Sequence, residues 1–446
     1  MNSINKPVIS LLLIAGFIFF RISDAKSADT AIPITYTLEA SIEMACNYAP
    51  ILNAGAARLG SAQSLTELKK SEFAPVFSMS GSTGYYSGES VTAYSAAREI
   101  PEETSDTTVS SLFYQGTLRG EIPLYKNGSW IGTVSDAVRE AEIGAEEQEW
   151  INKDIRIGVA MSVGKYYILA LKHLKAADTV KKIAELRRQN FDLAQAKADQ
   201  HLIPENEVLK ARVQVAEAEK NFALNARTAD YYKQSLLSLT GADTETELIL
   251  QEVSDSGIIP QIETLVADIR TNHPLIKAQE ARVRKLRAEA ESVRSETKPT
   301  VLLAAEYNMV NGFNEQIRDN FISAVKAEIP FSDGGQNEKK IAEVIARMKA
   351  EEKQILVIRQ ELEEKIRELY FQAEQADIQM ELIRHQIGQI SEEVKLNHAM
   401  FRQNLIPQAT VYDSEAMLLQ SESDRASLGY DRKLIVFQLE AMKSEK

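Results

Sequence analysis

QHLIPENEVLKA (residues 200–211) and QNLIPQATVYDSEA (residues 403–416) are two versions of one turn, 203 positions apart. The chain has twelve prolines, and eight of them form four pairs of this kind. Pro204 matches Pro407. Moving outward, Pro123 in GEIPLYKNG matches Pro330 in AEIPFSDGG, at an offset of 207. Pro75 (EFAPV) matches Pro299 (ETKPT), and Pro50 (CNYAPIL) matches Pro274 (RTNHPLI), both at 224. Four pairs in the same order are explained by an internal duplication. The offset changes only where one copy carries extra residues. Copy one is longer by 17 between the second and third pairs and by four between the third and fourth. The four extra residues read as a stutter in the helix of copy one.

Between Pro123 and Pro204 lie 80 residues without proline, and between Pro330 and Pro407 lie 76. Both stretches are rich in Ala, Glu, Lys, Leu, Arg and Gln, which favour helix. Copy two keeps a seven-residue apolar register through Ile341, Met348, Ile355, Leu362, Leu369, Ala376, Ile383 and Ile390. A partner seam runs through Ile366, Ala373, Met380, Ile387 and Val394. A sustained heptad imposes left-handed supercoiling against neighbouring helices. A helix from Glu338 to about Gln403 would be about 100 Å long. Further helices are expected over Glu205–Leu239 and Gln408–Ser444 after the turns, and over Leu38–Lys70 and Ile262–Glu296 before the long segments.

Between these helices the pattern changes to alternation. Strands are expected at about 76–86 and 111–124 in copy one, and at about 300–307 and 320–331 in copy two. Phe77, Met79, Thr83 and Tyr85 alternate with Ser78, Ser80 and Ser82; Leu112, Tyr114, Leu118 and Ile122 alternate with Gln115, Thr117, Arg119 and Glu121. Val301, Leu303, Ala305 and Tyr307 alternate with Thr300 and Glu306; Phe321, Val325, Ala327 and Ile329 alternate with Asn320, Lys326 and Glu328. Polar loops (Ser87–Val109 and Asn308–Asp319) join each pair. A strand of about ten residues crosses a bilayer at a tilt. Four strands close no barrel, and an open edge in lipid leaves costly unpaired backbone groups. If these strands span a membrane, several chains share one barrel, and three chains supply twelve strands. A soluble strand pair with one buried face is the alternative.

The domain order is therefore a signal peptide (1–25), a first repeat (26–245), a linker (246–261) and a second repeat (262–446). Lys6, the uncharged apolar run Val8–Phe20 and the small residues at Ser23 and Ala25 fit a secretory signal, with a retained anchor as the alternative. Cys46 is the only cysteine, so no intrachain disulfide forms. A net charge of −13 argues against nucleic acid as a partner. His173, His201, His273, His385 and His398 show no metal-ligand spacing, and Gly81-Ser-Thr-Gly84 lacks the lysine of a phosphate loop. No enzyme site, metal or cofactor is expected.

In both copies the chain resembles the TolC-like outer-membrane efflux protein family. The resemblance is carried by YTLEASIEMACNYAP and PQIETLVADIRTNHP, by FAPVFSMSGSTGYY and KPTVLLAAEY, by EIPLYKNG and EIPFSDGG, and by the two LIP turns, in order. It implies a homotrimer with a twelve-stranded barrel in outer-membrane lipid and a helical tunnel through the periplasm. The tunnel would passively export cargo from an inner-membrane transporter (RND, ABC or MFS type) through a periplasmic adaptor, in a tripartite efflux pump or type I secretion system. A periplasmic coiled-coil adaptor, or an envelope scaffold that never enters lipid, is the alternative.

The resemblance also points to sites. His201 and Asn404 stand where the family usually has glycine, and both residue types tolerate a left-handed turn. With Leu202, Ile203, Pro204, Leu405, Ile406 and Pro407 they form the candidate adaptor-contact tips. Asp413 matches one acid of the family's closing network, whereas Thr410 replaces the other. Phe401 replaces a tyrosine and Ile406 an arginine. Glu205 and Glu207, in the first turn after Pro204, either favour the helix dipole or add to an acidic ring. Asp413, Glu205, Glu207 and Phe401 are thus the candidate gate. Arg119, Glu121, Lys326 and Glu328 sit at equivalent places in the two copies and are expected to face water inside the barrel, because charge facing lipid is costly.

Overall fold

The computed structural model describes residues 34–88, 109–243, 248–254, 259–311 and 318–443. The expected signal peptide and the bulk of the loop 87–109 lie outside the described residues, as does part of the linker.

In copy one a short strand, β1 (Ile34–Tyr36), leads into α1 (Leu38–Tyr48) and α2 (Pro50–Lys70). Thr37 caps α1, its hydroxyl accepting from the Ala40 N–H at 3.1 Å. Copy two repeats the arrangement with α5 (Ile262–Asn272) and α6 (Pro274–Ser295). The continuous helices expected over 38–70 and 262–296 are each broken at the proline. Ala49 and His273 take ψ of 121° and 131° because proline excludes the helical region for the residue before it. Pro50 and Pro274 then open the next helix, where a missing N–H costs nothing.

Four long strands follow the pattern read from the sequence: β2 (Val76–Gly88), β3 (Val109–Lys126), β6 (Thr300–Asn311) and β7 (Arg318–Glu328). The strand ends differ from expectation. β2, β3 and β6 run further and β7 starts earlier, at Arg318; in β6, Asn308–Asn311, read as loop, stay in register with β3. β7 stops at Glu328 before Ile329-Pro330, where the N–H needed to extend a ladder is missing. A two-residue strand, β4 (Ser129–Trp130), pairs back on β3. The sheet order is β2-β3-β6-β7, antiparallel throughout, so β2 and β7 are the edges.

The long helices are α3 (Asp136–Asp199) and α7 (Gln336–Arg402), with α4 (Glu205–Thr240) and α8 (Gln408–Ala441) returning alongside them. At 1.5 Å per residue, α3 and α7 are each about 100 Å long. The stutter expected in copy one is absent: α3 has 64 residues and α7 has 67. The extra residues of copy one instead lie before its helix. Twelve positions separate Pro123 from the Ser135 cap, against five between Pro330 and the Gly335 cap.

The heptad of α7 holds: all thirteen seam residues are buried or half-buried, with Ile366 and Ala373 fully enclosed. Their equivalents in α3, Val163 and Ala170, are enclosed as well. α3 packs against α1, α2, α4, α6 and α8, whereas α7 packs against α5, α6 and α8. At Gly164 a β-carbon would stand within 2.0 Å of the Phe437 ring, so α3 and α8 approach closely only because this residue is glycine.

The span read as a linker holds β5 (Leu248–Leu250), paired in parallel with β1. The buried Tyr167 hydroxyl lies 2.8 Å from both the Tyr36 and Gln251 carbonyls and ties this pair to α3. Burial pushes its pKa up to about 12, so it stays a donor.

Candidate functional site

The two LIP turns close the ends of α3 and α7 in the same way. His201 and Asn404 are left-handed, at φ 57° and 58°. The Leu202 N–H donates to the Lys197 carbonyl and the Leu405 N–H to the Met400 carbonyl, each at 2.9 Å. These are the bonds that satisfy the last carbonyls of a helix ending in a left-handed residue. Leu202 and Leu405 project outward, 67% and 63% exposed, while Ile203 and Ile406 are half-buried. Pro204 and Pro407 cap the returning helices with extended backbone. In copy one the turn borders a groove of about 740 Å³ whose walls include Phe191, Gln195, Leu202, Pro204, Val208 and Arg212. The eight tip residues named from the sequence are therefore gathered at the two turns, with an apolar residue exposed on each.

The candidate gate residues are placed unevenly. Asp413, half-buried on α8, accepts from the Arg187 guanidinium on α3. Arg187 also reaches the Gln214 amide oxygen on α4, at 3.5 Å. One guanidinium on α3 thus bridges to two other helices, α4 and α8. Glu207 is exposed and paired with Lys210 on its own helix at 2.8 Å, and Glu205 is exposed. Phe401 and Thr410 are half-buried. Beside them His398 Nε2 and Glu415 Oε1 stand 2.9 Å apart, and the Gln408 amide donates to the Tyr412 hydroxyl at 2.6 Å.

Sequence reading missed Arg187 and the His398–Glu415 pair. Arg187 lies 226 positions from Asp413, and neither helix periodicity nor the repeat offset links the two. His398 and Glu415 flank the second turn, one on each arm, and the turn itself was a signal that could have paired them.

Paired residues in a β-ladder share a face, so register sorts the sheet. Leu118 pairs with Met79 and Tyr307, Tyr307 with Phe321, and Leu303 with Ile122 and Val325. These make one apolar face, on which Phe77, Met79, Tyr85, Phe321 and Val325 are exposed. Arg119 pairs with Ser78 and Glu306, and Lys326 with Leu302. Arg119, Glu121, Lys326 and Glu328 share the opposite face. Arg119 donates to Glu121 at 3.0 Å through Nε, and Lys326 lies 3.9 Å from Glu328.

His273, at the α5–α6 break, is enclosed and its Nδ1 accepts from the Leu275 N–H at 3.2 Å. Burial holds its pKa below the usual histidine value. Asp154 on α3 lies 3.9 Å away, its own pKa raised by burial.

Among the described residues no cluster of His, Cys, Asp and Glu could hold a metal ion, and no helix is long and apolar enough to cross a membrane. The latter says nothing of a β-barrel.

Residues 265–443 match the family model described as "Outer membrane efflux protein". No curated protein sequence matches the chain. Solved structures with the same fold include the outer membrane protein VceC of Vibrio cholerae, at 16% identity and TM-score 0.71, covering 91% of this chain and 96% of that one. The open state of the MtrE outer membrane channel of Neisseria gonorrhoeae is similar at 14% identity and TM-score 0.67, covering 91% and 88%. The CmeC outer membrane channel of Campylobacter jejuni is similar at 12% identity and TM-score 0.71, covering 92% and 87%. Residues 265–443 thus match the outer membrane efflux protein family model, and the chain as a whole has the fold of solved outer-membrane channels.

Proposed function

We propose that three copies of this chain share one twelve-stranded barrel in the outer membrane of a Gram-negative bacterium and one helical conduit through the periplasm. The conduit is the passive exit duct of a tripartite efflux pump or type I secretion system. The observation that carries this reading is the open sheet β2-β3-β6-β7, with an exposed apolar face and two edges unpaired among the described residues. In hydrocarbon each unpaired edge group costs several kcal/mol, and pairing β7 of one copy with β2 of the next removes both edges at once.

The helices support the same closure. α4, which packs on α3, exposes Leu209, Val213, Leu224 and Tyr231. α7 exposes Leu356, Phe371, Ile378, Leu382 and Leu396. The two apolar stripes lie on helices that pack on different neighbours, so between copies they meet head to tail, a contact that forms a ring when its rotation closes. An inner-membrane transporter supplies cargo and energy, and an adaptor seats on the LIP turns. Asp413, held by Arg187, belongs to the closed mouth.

The test is the native mass of the protein extracted in detergent from outer membranes. A trimer is expected. A stable monomer would leave four strands with open edges, and a periplasmic adaptor or scaffold would then be the better reading.

A further inference from the structure

We infer that the hairpin between β3 and α3 is a membrane-surface anchor, seated in phospholipid where the barrel leaves the hydrocarbon. The inference rests on the outer-membrane reading above and adds a lipid contact specific to copy one.

The hairpin is built from the extra residues that copy one carries between Pro123 and Ser135. Asn127 and Gly128 form its turn, at φ 47° and 79°, the two left-handed positions of a tight hairpin. A β-bulge precedes it: the register passes from Pro123 opposite Leu302 to Tyr125 opposite Val301, so Leu124 is the extra residue. The bulge decides where the aromatic side chains point. Without it, Tyr125 would follow Arg119, Glu121 and Pro123 onto the polar face. With it, Tyr125 shares the apolar face of Ile122 and Val301. Trp130 pairs with Tyr125 and lies on that same face, the ring centroids 5.0 Å apart.

The hairpin is held by its own bonds, from the Ile131 N–H to the Leu124 carbonyl at 2.9 Å and from the Thr133 hydroxyl to the Trp130 carbonyl at 2.6 Å. Its apolar side chains are left outside: Trp130 is 61% exposed, Val134 60% and Ile131 47%. Trp130 continues the apolar face of the sheet at its helix-proximal end. An indole offers an apolar body and an N–H donor, which suits the boundary between acyl chain and headgroup. The surrounding charge fits anionic phosphate. Lys69 and Lys126 share the single carboxylate of Glu72, at 2.9 and 3.5 Å, and the Lys298 ammonium lies over Gly128. Basic groups at this height attract anionic headgroups.

The experiment uses full-length protein carrying Trp150→Phe, which leaves Trp130 as the only tryptophan. It is reconstituted in phosphatidylcholine–phosphatidylglycerol vesicles whose acyl chains carry bromine close to the headgroup or deep in the bilayer. Loss of Trp130 emission, greater with shallow than with deep bromine, is the expected result. A second variant, Trp130→Phe/Trp150→Phe/Phe321→Trp, reports from the apolar face of β7. Quenching of that variant without quenching of Trp130 keeps the barrel and overturns the anchor, as when a neighbouring copy covers the hairpin. Quenching of neither overturns the anchor together with the outer-membrane reading.

Discussion

The two copies of the repeat agree at their helical turns and diverge where strand becomes helix. At the turns, different residues give one geometry: His201 and Asn404 differ by one degree in φ and are followed by the same pattern of N–H to carbonyl bonds. At the junctions, one pattern of residues gives two geometries. EIPLYKNG becomes a bulge, a hairpin and a Ser135 cap, whereas EIPFSDGG becomes a short turn with the Asp333 carboxylate accepting from the Gly335 and Asn337 N–H groups at 2.9 and 2.8 Å. The difference teaches that a helix end constrains its backbone more tightly than a strand end does. Four terminal carbonyls need partners and a left-handed residue supplies them in few ways, while the exit from a sheet at a water boundary admits several solutions.

The heaviest test of the copies' equivalence is in the seams. Ile366→Ala should cost about 2–5 kcal/mol, and Val163→Ala should destabilise in the same sense by less, since fewer buried atoms are removed. Denaturant unfolding of the detergent-solubilised protein measures both. A near-neutral Ile366→Ala would mean that the repeat seams do not carry the packing.

The turns can be broken next. Asn404→Val should cost about 1–2 kcal/mol, the penalty of a left-handed backbone for a side chain that cannot relieve it. Asn404→Gly and His201→Gly should match or exceed the parent protein in thermal unfolding. Unequal responses of the two glycine variants would show that the turns are alike in shape but not in load.

Titration separates the copies at the proline breaks, because His273 has Ala49 as its counterpart. Burial lowers the folded pKa of His273, so as pH falls through the ordinary histidine range the unfolded chain takes up a proton that the folded chain resists. Its contribution is complete above that range and is lost as pH falls from it towards the lowered folded value, with a limiting slope of about 1.4 kcal/mol per pH unit. His273→Asn keeps an acceptor for the Leu275 N–H and should flatten the profile. Identical profiles would remove His273 as the source.

The smallest effect on stability should come from Arg187→Ala, on the order of 0–1 kcal/mol, since Asp413 is partly exposed. Its effect on conductance should be larger, because one side chain holds α3, α4 and α8 together. Single-channel recording should show a raised resting conductance, with Arg187→Lys intermediate. Unchanged conductance would take the Arg187–Asp413 pair out of the closed mouth.

The helices, the alternating strands and the order of both copies were legible in the residues themselves, because periods of 3.5 and 2 and the positions of proline are local properties of the chain. Alternation along each strand, with the repeat offset of 207, placed Arg119 and Lys326 at equivalent positions opposite the apolar residues. What the sequence could not decide was anything that depends on two distant segments meeting. The four extra residues of copy one looked like a helical stutter, yet they are the balance of a longer junction and a shorter helix. Counting along the chain gives only the difference between the two. The bulge at Leu124 that turns Tyr125 to the apolar face appears only in the register against β6. The Arg187–Asp413 pair arises because α3 and α8 pack together and bring residues 226 apart into contact. Local backbone chemistry writes the elements, and the packing of one helix on another chooses which charges meet.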